Sequence, residues 1–166
     1  MGTRGVIARV TDDGWEGRYH HWDSYPSCLG KALYDLHGQG TFHKTTDEMI
    51  MTLITNHPAG WSTIVNCDWT QEPGFLTHNH RMTSHREGKQ DRPQCYCHGD
   101  RHEGAILIKS IDPPSDLVWC YILYRVGWED YMDVLSSYHG SWEKITTVNL
   151  RNREPNWGEI GQKGTR

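Results

Sequence analysis

The sequence lacks the features that would place it among membrane, secreted or strongly nucleic-acid-binding proteins. No apolar run approaches the length of a bilayer span, and the first residues do not form a signal peptide. The five cysteines are an odd number without the even framework of a small secreted domain, which predicts a reducing, cytoplasmic setting. A net charge of −4 argues against binding nucleic acid through bulk electrostatics, because that mode needs a basic surface.

Aromatic residues are the most informative part of the composition. Phe occurs only twice, whereas Trp and Tyr each occur eight times. Large amphipathic rings must therefore form much of the core, and some should line a pocket or an interface. The 166 residues fit a single domain, 1–166, which is long enough to bury roughly two-thirds of its unfolded surface.

Periodicity and turn residues predict an α+β domain. One helix is expected from Pro26 to Gly38 on the helical spacing of its leucines, and another from the capping box of Thr45 and Glu48 to Pro58. Strands are predicted over Gly5–Val10, Trp15–Asp23, Ala105–Ser110, Leu117–Arg125, Tyr131–Tyr138 and Trp142–Leu150. The expected fold is an antiparallel sheet with an N-terminal hairpin, two helices on one face and a C-terminal β-meander. The tail 151–166 is polar, although Trp157 is able to dock back onto the domain.

The stretch from Tyr19 to Pro26 concentrates titratable, nucleophilic and aromatic side chains: Tyr19-His20-His21-Trp22-Asp23-Ser24-Tyr25-Pro26. In an extended segment side chains alternate, so Tyr19, His21, Asp23 and Tyr25 would share one face and His20, Trp22 and Ser24 the other. An imidazole beside a carboxylate can move a proton or hold a polar ligand. The alternative is a strand that ends in a polar turn, with Asp23 or Ser24 capping the following helix.

The segment 76–103 is predicted to be a long loop rich in histidine, and it contains a second group of candidate ligands. Two thiols and several imidazoles lie within it, and zinc prefers four such ligands. We expect Cys95 and Cys97 to bind zinc together with two of His78, His80, His85, His98 and His102. The alternative is a solvated loop, and a nucleophilic pair of Cys97 with His98 is less favoured because adjacent residues rarely aim at each other.

Three blocks of the sequence resemble an uncharacterised family found in actinobacteria and their phages. These blocks are Gly2-Thr3-Arg4-Gly5, Tyr19-His20-His21-Trp22-Asp23-Ser24-Tyr25-Pro26 and Arg92-Pro93-Gln94-Cys95-Tyr96-Cys97-His98-Gly99-Asp100-Arg101. The resemblance implies a phage or bacterial cytoplasmic setting. It implies no activity, cofactor or catalytic residue.

These patterns lead to three hypotheses about function. The first is a binding protein that captures a small anionic ligand, such as a nucleotide, with the candidate ligand-binding residues Arg4, Tyr19, His21, Trp22, Asp23 and Tyr25. The second is a hydrolase, in which His21 oriented by Asp23 acts as general base or a metal-bound water attacks near Cys95, Cys97 and His98. The third is a module that binds a host protein through exposed Trp side chains.

Overall fold

The computed structural model describes residues 2–57, 60–61, 63–65 and 107–166, which form one six-stranded mixed sheet with helices. The strands are β1 (Arg4–Thr11), β2 (Gly14–His20), β3 (Ile108–Lys109), β4 (Leu117–Val126), β5 (Glu129–Ser136) and β6 (Glu143–Asn149). Their spatial order is β3-β2-β1-β4-β5-β6. The predicted α+β class, the N-terminal hairpin and the C-terminal strands are confirmed.

The N-terminal hairpin forms where turn chemistry predicts it. Thr11 pairs with Gly14 around the two-residue turn of Asp12 and Asp13. Gly14 has a φ of 146°, which L side chains rarely adopt, so glycine suits this position. The hairpin continues to the pairing of Gly5 with His20, and this delivers the aromatic segment to the far end of the sheet.

One strand pair corrects the expectation of an antiparallel sheet. β1 pairs with β4 in parallel, with Val6 opposite Cys120 and Ala8 opposite Ile122. Beyond the helices in the chain, β3 pairs with β2, and the chain then crosses to β4 on the other side of β1. Such a crossover can place β4 parallel to β1. β4 is therefore a central strand, which agrees with its almost continuous burial.

The helices start and end close to the predicted boundaries. A π-helical turn, Pro26–Gly30, leads into α1 (Lys31–Gly38), and α2 (Thr46–Ile50) continues as a second π-helical turn, Met51–Thr55. The side chain of Thr45 accepts a hydrogen bond from the Glu48 amide at 3.2 Å, so the predicted cap is confirmed. None of the described helices combines the length and apolar content needed to cross a bilayer.

A third helix, α3 (Trp157–Lys163), lies in the polar tail, for which we predicted no helix. Its cap is formed by Asn156, whose side chain accepts a hydrogen bond from the Glu159 amide at 3.1 Å. Trp157 is buried, as anticipated, and it packs so closely on Gly30 that a Cβ there would lie 3.0 Å from the indole. The tail thus supports the start of the first helical segment.

The sheet carries a core on each face. The larger one lies between the sheet and the helices and contains Ile7, Tyr121, Leu123, Leu33 and Trp61 among others. The smaller one lies on the opposite face and contains Val6, Ala8, Trp15, Tyr19 and Cys120 among others. Successive residues of β2 therefore point into different environments, which decides the roles of the neighbouring histidines.

Candidate functional site

The aromatic segment forms a tight bend at the end of β2. The strand stops at His20, and Asp23 has a φ of 57°, a left-handed conformation that is uncommon outside glycine. The Ser24 amide donates to the Thr3 carbonyl at 2.9 Å, and the His21 amide donates to the Trp61 carbonyl at 3.0 Å. The bend, residues 21–25, is thus held between the start of β1 and the segment around Trp61.

His20 is fully buried and holds this bend from the inside. Its Nδ1 lies 2.9 Å from the Ser24 hydroxyl, and its Nε2 accepts a hydrogen bond from the Ile64 amide at 3.0 Å. Because an amide only donates, Nε2 carries no proton and the ring proton lies on Nδ1. Burial, followed by the neighbouring His21, lowers the pKa of His20 to about 3. His20 is therefore neutral and both its nitrogens are occupied.

Ser24 completes the support of the bend. Its hydroxyl donates to the His20 carbonyl at 3.2 Å, and its own carbonyl accepts a hydrogen bond from the Tyr121 hydroxyl at 2.6 Å. Every one of these groups is buried, and an unmade hydrogen bond in such a place costs about 1–3 kcal/mol. The position of the exposed residues of the bend is therefore set by buried polar contacts.

His21 points to the opposite face of the sheet and contacts Tyr19. The Tyr19 hydroxyl lies 2.5 Å from Nδ1 of His21, and both side chains are buried. The predicted alternation of side chains between the two faces is thus observed up to His21, since Tyr19 contacts His21 on one face and His20 contacts Ser24 on the other. A phenol is the natural donor to a neutral imidazole, which leaves the ring proton of His21 on Nε2.

Asp23 does not join this pair. Its side chain is exposed, and among the described residues no hydrogen bond or ion pair links it to His21. The left-handed backbone at Asp23 ends the two-residue alternation on which the expected His21–Asp23 contact depended. The Tyr19 hydroxyl, and not the Asp23 carboxylate, lies within hydrogen-bond distance of the His21 ring.

Trp22 and Tyr25 are the exposed aromatic side chains of the bend, at 41% and 38% of their full accessible surface. The Trp22 ring centre lies 4.5 Å from that of His21 in an edge-on arrangement, and a Cβ at Gly2 would lie only 2.4 Å from the indole. A hydrogen bond with Cys28, followed by the charges of Cys28 and Asp23, raises the pKa of Tyr25 to about 12. Tyr25 therefore keeps its proton at neutral pH.

Arg4 brings a positive charge to the same end of the sheet. It follows Thr3, whose carbonyl accepts the Ser24 amide, and its guanidinium lies 2.6 Å from the Asp116 carboxylate. The Arg4 side chain remains 26% exposed. The Asp116 carboxylate therefore neutralises part of the Arg4 charge, but the guanidinium stays partly accessible to a ligand. Arg4 is the only cationic residue predicted to contact the ligand.

The helical run that starts at Pro26 has no side-chain cap. Tyr25 occupies the cap position in an extended conformation, and neither Asp23 nor Ser24 bonds to the first turn. The capping alternative for these two residues is therefore not realised, because Ser24 is committed to His20. The uncapped end directs its partial positive charge towards the bend.

A buried carboxylate, Asp130, forms a cluster that the sequence analysis missed. It accepts hydrogen bonds from Thr46 at 3.0 Å and from Arg151 at 3.0 and 3.2 Å, and it lies 2.9 Å from Nε2 of His37. Burial raises the pKa of Asp130, but the hydrogen bonds with His37, Thr46 and Arg151 together outweigh it, so the pKa is lowered. The sequence did contain an indication of this cluster. Asp130 lies two residues before Met132 in β5, so both side chains point to the same buried face.

The predicted zinc ligands Cys95, Cys97, His80, His98 and His102 lie outside the described residues, as do His78 and His85. Within the described ranges, no group of three or more His, Cys, Asp or Glu side chains could hold a metal ion. The zinc prediction therefore stays a prediction.

The bend is thus an aromatic surface on a backbone fixed by buried hydrogen bonds, with one imidazole–phenol pair behind it. No protein-family model, curated protein or solved structure matches the chain.

Proposed function

We propose that the chain is a binding protein that captures a small anionic ligand, such as a nucleotide, at the bend of residues 21–25. The observation that carries the proposal is the pair of exposed rings, Trp22 and Tyr25, held on either side of Asp23 by the buried contacts of His20 and Ser24. A binding surface that is already ordered loses little conformational entropy when a ligand arrives.

Each group of the bend has a use in such a complex. A planar base would stack on Trp22 or Tyr25, a contact worth roughly 1–3 kcal/mol per base. The Asp23 carboxylate would accept hydrogen bonds from ligand hydroxyl or amino groups. Arg4 and the uncapped helix end would interact with the negative charge. The resemblance to phage proteins suggests that the ligand is a host signal that the protein sequesters.

The same geometry gives the hydrolase hypothesis less support. A general base needs a group that orients it and a nucleophile or water within reach. His21 has its Nδ1 engaged by Tyr19, Asp23 lies in solvent, and His20 has both ring nitrogens occupied. The arrangement of the described residues therefore supports a binding surface better than it supports a pair of groups that transfers a proton.

Calorimetric titration with adenine and guanine nucleotides tests the proposal, with the uncharged nucleosides as controls. Trp22→Ala should weaken nucleotide binding by about tenfold or more, because it removes a stacking surface. Trp128→Ala is the matched control, since Trp128 is 84% exposed and lies at the other end of the sheet. Equal binding of nucleosides and nucleotides would refute the anionic preference, and unchanged affinity in Trp22→Ala would refute the site.

Mass spectrometry of the recovered ligand separates binding from catalysis. We expect His21→Ala and Asp23→Ala to lower affinity while the wild-type protein returns the ligand unchanged. A hydrolase would release altered ligand, at a rate that His21→Ala lowers by roughly a hundredfold or more. That product would overturn the ranking of the two functions.

A further inference from the structure

A second exposed surface lies at the opposite end of the sheet from the bend. His20 pairs with Gly5 at the start of β1, whereas β1 ends at Thr11. Because β1 and β4 run parallel, with Arg9 opposite Leu123, both strands end at this side. The β1–β2 turn and the β4–β5 turn are therefore neighbours, although they are far apart in sequence.

Three large apolar side chains at this end are exposed. Val10 near the end of β1 is 54% exposed, Val126 at the end of β4 is 61% exposed, and Trp128 in the following turn is 84% exposed. Val10 and Val126 occupy the same face, because each follows the pair of Ala8 and Ile122 by an even number of residues. Trp128 lies in the turn after Val126 and contacts Arg125, which projects from the other face of the sheet. A tryptophan so exposed at the tip of a hairpin is typical of a contact residue.

The position of the Trp128 ring is restrained before any partner binds. The Arg125 guanidinium lies 5.8 Å from the centre of the indole ring, within the range of a cation–π interaction. Arg125 also donates to the Gly127 carbonyl at 3.2 Å. Gly127 has a φ of 61°, as a two-residue hairpin turn requires. The ring is thus presented from a short turn, which limits the entropy lost on binding.

The rim of this surface is acidic. Asp12, Asp13 and Glu129 are exposed, and no ion pair engages them within the described part of the chain. The arginines at this end are already used by other carboxylates: Arg9 contacts Glu16 at 2.8 Å, Arg125 lies 3.8 Å from Asp130, and Arg151 contacts Asp130 at 3.0 Å. Negative charge is therefore left uncompensated around an apolar centre.

We propose that the tip formed by the β1–β2 and β4–β5 turns, with Trp128 as its apolar centre, is a docking surface for a protein segment that carries basic side chains around an apolar one. An apolar residue of the partner would cover the indole, and its Lys or Arg side chains would pair with Asp12, Asp13 and Glu129. A second copy of the chain fits poorly, because two acidic rims would face each other and each chain has a net charge of −4.

Fluorescence anisotropy with labelled synthetic peptides tests the proposal. The probe is a peptide of alternating Lys and Leu, compared with a Glu and Leu peptide and with a Lys and Ser peptide of equal length. Only the Lys and Leu peptide should bind saturably at about 0.15 M salt, and its affinity should fall as salt rises. Equal binding of either comparison peptide, or no binding of the probe, would overturn the proposal.

Substitutions locate the contact. Trp128→Ala should weaken binding of the probe by about tenfold or more, and the double change Asp12→Asn with Asp13→Asn should reduce both affinity and its salt dependence. Tyr138→Ala is the control, because Tyr138 is 59% exposed and follows β5 at the other end of the sheet. Trp22→Ala should also leave peptide binding unchanged, which keeps this test independent of the proposed nucleotide site.

Two results would contradict the assignment. If Trp128→Ala binds the probe as tightly as the wild type while remaining folded by urea titration, the surface is not the contact. If sedimentation reveals a concentration-dependent dimer that Trp128→Ala abolishes, the surface serves a second copy instead of a basic partner.

Discussion

Acidification should destabilise this fold through His20 in a way that can be measured. The pKa of this imidazole drops from 6.5 to about 3 on folding, first because burial disfavours the charged ring and then because His21 lies nearby. A group with a lowered pKa in the folded state stabilises the fold fully above its unfolded pKa. That stabilisation is lost as pH falls from 6.5 towards 3, because the unfolded chain takes up the proton first.

The size of the effect follows from the two pKa values. Once the pH is well below 6.5, the loss from this one group approaches about 1.4 kcal/mol per pH unit. Between neutral pH and pH of about 5 it amounts to about 2 kcal/mol. This is a large share of the stability of a typical domain, which is about 5–15 kcal/mol in total.

Urea unfolding across this pH range, for the wild type and for His20→Asn, measures the effect. Asparagine cannot titrate, but its amide can still donate to the Ser24 hydroxyl. It leaves the Ile64 amide without its acceptor, so the variant should be less stable at neutral pH by about 1–3 kcal/mol. Its stability should also decline less steeply with acid than that of the wild type.

His139→Asn is the control for replacing a histidine by asparagine. The His139 side chain is 51% exposed, so its replacement should leave the free energy of unfolding at neutral pH almost unchanged. If His20→Asn and the wild type lose stability in parallel between neutral pH and pH of about 5, His20 is not held neutral by burial and the account of the bend is wrong.

Three further substitutions or measurements follow from the same structure. Asp130→Ala should lower the free energy of unfolding by about 3–5 kcal/mol, since it leaves a buried network without its carboxylate; a loss below about 1 kcal/mol in urea titration would contradict this. Gly164→Ala places a Cβ 2.2 Å from the buried Trp119 ring and should cost about 1–3 kcal/mol, whereas Gly158→Ala, whose Cβ would meet only a side-chain oxygen 3.5 Å away, should be nearly neutral. Elemental analysis of untagged protein should find about one zinc per chain bound by the 76–103 loop, and less than about a tenth of an equivalent with unchanged melting after chelation would contradict it.

Local chemistry in the sequence was sufficient to predict most of the elements. The turn before Gly14, the cap at Thr45 and the apolar repeat of the first helix depend on neighbours within a few residues, so the sequence contains all the information they need. The alternation that unites Tyr19 with His21 is local for the same reason. It fails at Asp23, where a left-handed residue interrupts the strand geometry that the prediction assumed.

Tertiary structure alone decided how these elements are combined and what each polar residue does. The parallel pairing of β1 with β4 depends on where the chain re-enters the sheet, which no local pattern specifies. His20 and His21 are adjacent in sequence, yet one is buried beneath the helices as a neutral support and the other contacts Tyr19 on the opposite face. The surface around Trp128 exists because that same parallel pair brings two turns together that are distant in sequence. Such proximity is a property of the folded sheet and not of the order of residues.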